Sequence, residues 1–179
     1  NAAYKCAASG LKVLMIDKDP FPRKKCCAGG LLERASSLVP DFSSSLIEKE
    51  IYGAKFVMGS ESIEIKSDTR VAVTVKRESF DTFLLNRAVD AGAESITGSR
   101  VLKAVEKDDR VNITYENETV SSKLFIVAEG ASSRVSNSLF GAPLPNSRAI
   151  AISQNLNVDD DPGDCFVIYT IGRSPQKPR

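Results

Sequence analysis

Asp17 and Cys27, ten residues apart, are the side chains of this sequence best placed to do chemistry. Asp17 closes the apolar run GLKVLMID that starts at Gly10. A carboxylate at the end of a buried strand can accept hydrogen bonds from both hydroxyls of a ribose, and it rejects a 2′-phosphate there. An ordinary solvated aspartate is the plain alternative, and position alone does not separate the two. Cys27 lies in Cys26-Cys27-Ala28-Gly29-Gly30-Leu31. Backbone N–H groups in such a loop of small residues can approach a large flat group, with a thiol beside it. A thiolate is a good nucleophile, but a small sulfur packed against a ring needs no reactivity, and shaping the pocket is the favoured role. Together the two segments point to a flavin site.

Two further sets of residues qualify. Arg77, in VKRESFDTFLLNRAVDAGAE, can pair with cofactor oxygens or with the carboxylate of Asp81. Glu129 and Gly130 follow the apolar run Leu124 to Ala128. There the glycine lets backbone approach a ligand while the carboxylate takes a hydroxyl or a water; a turn chosen for geometry alone is the competing account. Arg134 can neutralise a phosphate or cap local carboxylates. Cys6 and Cys165 read as core residues.

Composition narrows the chemistry by exclusion. The 179 residues contain no histidine, which removes mixed-ligand zinc sites and Ser-His-Asp hydrolysis. Four cysteines without CxxC spacing, two of them adjacent, do not make a disulfide framework. A formal charge of +1 creates no field to attract nucleic acid, so none is expected as a partner. No apolar run approaches the roughly 20 residues that cross a bilayer, so a cytoplasmic protein is expected, with any membrane contact peripheral.

These residues need elements to position them. Asn1 to Ser9 is alanine-rich and predicts a helix capped by Gly10, followed by a buried strand over Lys12 to Ile16. Helix, strand and terminal carboxylate form the second half of a dinucleotide-binding βαβ unit, whose first strand and glycine-rich turn are expected before Asn1. Leu31 to Leu38 predicts a short helix. Strands are predicted over Ile51 to Met58, Ser62 to Lys66 and Arg70 to Val75, spaced for an antiparallel sheet. Ser79 to Ala91 has a helical period ended by Gly92. Further strands are expected at Glu94 to Thr97, Arg100 to Glu106, Val111 to Glu116, Leu124 to Ala128, Ala149 to Leu156 and Cys165 to Ile171. Asp108-Asp109 turns the middle pair, a helix capped by Ser132 or Ser133 follows Gly130, and the tail from Arg173 reads as disordered or cut mid-domain.

Three stretches, GLKVLMIDKDPFPRKKCCAGGL at 10 to 31, VKRESFDTFLLNRAVDAGAE at 75 to 94 and FIVAEGASSRVSNSLFG at 125 to 141, resemble the geranylgeranyl reductase family. That family is a branch of the flavoproteins with the para-hydroxybenzoate hydroxylase fold. The resemblance implies that Asp17 binds the adenosine ribose, that Cys27, Ala28 and Gly30 lie near the isoalloxazine, and that Arg77 contacts FAD. It also implies a backbone contact to the adenine end near Val101, and a motif at Glu129 and Gly130 where the family carries Asp-Gly. The extra methylene of Glu129 displaces that carboxylate by more than an ångström. The family's later Gly-Asp segment finds no match before Arg179.

The implied architecture is α/β, α+β as a whole, with a Rossmann-like three-layer FAD-binding domain (1–48 and 77–142) and an interleaved antiparallel-sheet substrate domain (49–76 and 143–179), both partial. The implied function is reduction of carbon–carbon double bonds in geranylgeranyl or other isoprenoid lipid chains. FAD is the implied cofactor; NADPH, NADH or another donor is left open. A fragment lacking the phosphate cradle is expected to bind FAD poorly and to be inactive. An aromatic-ring monooxygenase of the same fold and a noncatalytic remnant stand as alternatives.

Overall fold

A computed structural model describes residues 1–39, 41–130, 134–141, 151–154, 161 and 163–170. Contacts divide the chain into two compact units, Asn1–Lys24 with Asp81–Ala151, and Lys25–Phe80 with Ile152–Arg179.

In the first unit, helix α1 (Ala2–Ala8) leads into strand β1 (Leu14–Asp17). Alanine makes α1 a good helix former, and Gly10, at φ +80, ends it while its N–H reaches the carbonyl of Ala7 at 2.8 Å. In the second unit, β2 (Gly30–Leu32), α2 (Glu33–Ser36), β3 (Ile47–Ile51), β4 (Gly53–Met58), β5 (Glu61–Lys66) and β6 (Ala72–Val75) follow. Helix α3 (Arg77–Asp90) carries the chain back to the first unit, to β7 (Glu94–Thr97), β8 (Val101–Lys107), β9 (Arg110–Tyr115), β10 (Glu118–Ser122) and α4 (Arg134–Phe140). Strand β11 (Cys165–Tyr169) belongs to the second unit.

Strands β1 and β7 pair in parallel, Leu14 opposite Glu94 through Asp17 opposite Thr97. Neighbouring side chains of a strand point to opposite faces, and β1 shows what that does here. Met15 packs against the cluster of Ala7, Ala88 and Ala93, from α1, α3 and the turn after α3. Ile16 packs against the cluster of Ala104, Ile113 and Val135, from the β8-β9-β10 meander and α4, which Val120 of β10 also joins. Helices thus cover one face and the meander the other, which makes three layers around one parallel pair. The meander turns at Asp108 and Glu116, both at positive φ.

The second unit holds two three-stranded sheets. One runs β2-β6-β3, antiparallel throughout; its central strand buries Ala72, Val73 and Val75. The other runs β11-β4-β5, with β4 antiparallel to β5 and parallel to β11. Residues 25–48 pack with this unit because β2 and β3 both flank β6.

Several expectations are corrected. The single strand over Ile51 to Met58 is two strands in different sheets: Tyr52 donates to the carbonyl of Asp164 at 2.7 Å, and the chain changes sheet there. Gly53 is needed at the crossing, since a Cβ would lie 2.3 Å from the carbonyl oxygen of Ile65. Leu31 and Leu32 belong to β2, and only Glu33–Ser36 of the predicted helix is helical. Leu124 to Ala128 forms no strand; the Ser122 hydroxyl takes the Leu124 N–H at 3.3 Å and donates to its carbonyl at 2.6 Å. The third strand of the meander is instead Glu118–Ser122. Ala149 to Leu156 lies partly outside the described residues and is not a strand over 151–154. Ser132, Ser133 and the tail from Arg173 lie outside the described residues.

Candidate cofactor site

Asp17 stands at the carboxyl end of the parallel pair, where open α/β sheets form their ligand crevices. Its Oδ1 accepts the Asp19 N–H at 3.0 Å, and its Oδ2 accepts Arg23 Nη1 at 2.9 Å. Arg23 also reaches Asp81 Oδ2, with Nε and Nη2 each at 3.1 Å, and lies 5.1 Å from the centre of the Phe21 ring. Backbone two residues beyond β7 closes the corner: Ser99 N–H donates to the Asp17 carbonyl at 3.0 Å. The Ser99 hydroxyl is buried with no hydrogen-bond partner among the described residues.

Val101 begins β8 opposite Tyr115, beside a bulge in the pairing, and its side chain joins the core under the meander. Glu129 uses the length of its side chain: Oε2 accepts the N–H of Val135 in the first turn of α4, at 3.3 Å. First-turn N–H groups have no partner within their helix, so this carboxylate caps it. Gly130 has φ +84 and open space where a Cβ would be.

The second unit brings Cys27 and Arg77 together. The Gly29 N–H donates to Cys27 Sγ at 3.5 Å. That bond, the Arg77 guanidinium and the charge of Lys25 hold the exposed thiol below its ordinary range, against a smaller opposing effect of burial. Burial does the reverse at Cys165, with Asp164 adding to it, and pushes that thiol up. The thiolate form of Cys27 is thus favoured relative to an ordinary cysteine, whereas Cys165 is a buried sulfur whose thiol form is favoured. Arg77 holds its place as the first residue of α3.

The glycines beside Cys27 have local reasons. Gly29 is at φ +75, and Gly30 lies against the Phe166 ring, 3.3 Å from the position of an added Cβ. Ala28 links the thiol to this pair. Of the residues expected from sequence, Asp17, Val101, Glu129 and Gly130 fall in the first unit, and Cys27, Ala28, Gly30 and Arg77 in the second. Arg23 went unread in the sequence; its only signal is an arginine in a proline-bounded loop six residues beyond a strand-end carboxylate.

A strand-end carboxylate at the corner of such a sheet is the arrangement of nucleotide-binding α/β folds, and comparison with known proteins finds a fold that FAD-binding proteins share. No protein-family model matches the chain. It is 32% identical over 180 residues to an uncharacterised protein of Methanosarcina barkeri, covering 97% of the chain and 45% of that protein. It is 29% identical over 188 residues to geranylgeranyl diphosphate reductase of Rhodobacter capsulatus (98% and 46%), and 29% identical over 164 to FixC of Salmonella typhi (84% and 38%). A geranylgeranyl bacteriochlorophyll reductase-like structure from Thermoplasma acidophilum superposes with a TM-score of 0.75 at 27% identity, over 94% of the chain and 46% of that structure. The halogenase PltM in complex with FAD, at 20% identity and a TM-score of 0.62, shares the fold. Homologues of the chain thus include geranylgeranyl diphosphate reductase and FixC. It spans less than half the length of each of these relatives.

The residues present fit the adenosine end of FAD. Each Asp17 oxygen already takes one hydrogen bond and has a second lone pair, and the orphaned Ser99 hydroxyl lies in the same corner.

No helix among the described residues is long and apolar enough to cross a membrane.

Proposed function

We propose that the chain belongs to an FAD-dependent oxidoreductase that saturates carbon–carbon double bonds of isoprenoid chains. The observation that carries the reading is likeness to geranylgeranyl diphosphate reductase over 98% of the chain. Asp17 would receive the ribose hydroxyls, and Cys27 with Arg77 would border the ring. When bound and reduced, FAD would supply a hydride to one alkene carbon, and a proton added to the other would complete the saturation. A surface for the lipid is offered by the β4-β5 hairpin, where Phe56 is paired with Ile63 and Ala54 with Ile65, and Phe56, Ile63 and Ile65 are exposed on one face.

The test is expression of the complete coding sequence, followed by anaerobic incubation with a chemical reductant and geranylgeranyl diphosphate. Mass spectrometry is expected to show two hydrogens gained per double bond. Bound flavin without prenyl reduction, but with oxygen-dependent hydroxylation of an aromatic substrate, favours the monooxygenase. Absence of visible flavin absorbance favours a noncatalytic remnant.

A further inference from the structure

Arg23 lies between two carboxylates that are far apart in sequence. It bonds Asp17 at 2.9 Å and, through two nitrogens at 3.1 Å, Asp81, which is only 7% exposed. Phe21 lies against the guanidinium as well. A strand-end carboxylate is ordinarily free to turn about its last torsion, which is broad and weakly restrained. Here it is held from both sides, by the Asp19 N–H on Oδ1 and by Arg23 on Oδ2. The free lone pair on each oxygen then has a fixed direction, as recognition of two neighbouring hydroxyls requires.

Building on the FAD reading, we infer that Arg23 is a positioning residue: anchored on Asp81, it fixes the Asp17 carboxylate for a ribose diol and so sets the affinity for the adenosine half of a dinucleotide. A planar guanidinium can serve both carboxylates at once, whereas a lysine ammonium is a point charge on a flexible stem. An ion pair that merely ties the loop after β1 to α3 makes a different prediction. Its loss lowers stability without changing the affinity of the molecules that remain folded.

Calorimetric titration of the full-length protein with ADP, FAD and FMN separates the two. Arg23→Gln and Arg23→Lys are expected to raise the dissociation constants for ADP and FAD about tenfold or more, the cost of misplacing a charge-assisted hydrogen bond, while leaving FMN unchanged. Asp81→Asn keeps the size of the anchor and is expected to give a smaller loss with the same selectivity. It supplies the reading if Arg23→Gln does not fold. Unchanged ADP affinity in folded Arg23→Lys and Asp81→Asn, with only a lower melting temperature, overturns the positioning role and leaves the FAD reading standing. Failure of the unmutated protein to bind either ADP or FAD overturns both.

Discussion

Gly29 brings its backbone against that of Val75: a Cβ at residue 29 would lie 2.0 Å from the Val75 carbonyl oxygen, and Val75 N–H donates to the Gly29 carbonyl at 3.0 Å. Its φ of +75 adds a second reason for glycine. Gly29→Ala must therefore move β6 or the loop. The expected cost is about 2 to 4 kcal/mol, seen as a lower urea midpoint, because overpacking and positive φ act together. A midpoint equal to that of the unmutated protein would show that the approach is not required.

Cys27 is expected to alkylate at lower pH in the folded protein than in the unfolded chain. The sign follows from the Gly29 N–H and the Arg77 guanidinium, which favour the thiolate and lower the folded value. By linkage, the stabilisation is present above the unfolded thiol range and is lost as pH falls through the lowered folded value. Arg77→Gln should move the onset of iodoacetamide labelling to higher pH. An onset that does not move assigns the effect to the backbone alone.

Val73 is fully buried at the centre of β6. Val73→Ala removes two methyl groups from a buried face of the β2-β6-β3 sheet, and is expected to cost about 2 to 3 kcal/mol. Thermal unfolding measures this, and a shift close to zero would contradict the packing described.

Glu129→Ala removes the acceptor of the Val135 N–H and is expected to cost about 1 kcal/mol, as for other helix caps. Glu129→Gln keeps an acceptor and should recover part of it. Equal melting temperatures for all three proteins would count against capping.

The parts legible in the sequence are those with one strong period. The alanines of α1, the apolar run of β1 and the spacing of Phe80, Leu84 and Ala88 in α3 each specify an element, although β1 is only half-buried, with Leu14 exposed. Illegible parts have tertiary causes. Glu118–Ser122 is polar at most positions and is a strand because Val111 to Tyr115 pairs with it. Leu124 to Ala128 is apolar, yet the Ser122 hydroxyl takes the backbone groups of Leu124. At the site, the carboxylate and the thiol were readable as residue types. The partnership of Arg23 with Asp81, 58 residues apart, was not, because nothing local records it. The small residues of the loop were read as room for a ligand, and Gly29 and Gly30 also answer to Val75 and Phe166.

The pairing of β11 with β4 sets an order of assembly. β4 and β5 form a hairpin from adjacent sequence, but β4's other neighbour is made only after the first unit's strands and α4 have been synthesised. Until then β4 has a bare edge, and the Phe166 ring that abuts Gly30 does not exist. During translation, the Cys27 loop and an apolar strand edge therefore await the same late segment, and an unpaired edge is a template for aggregation.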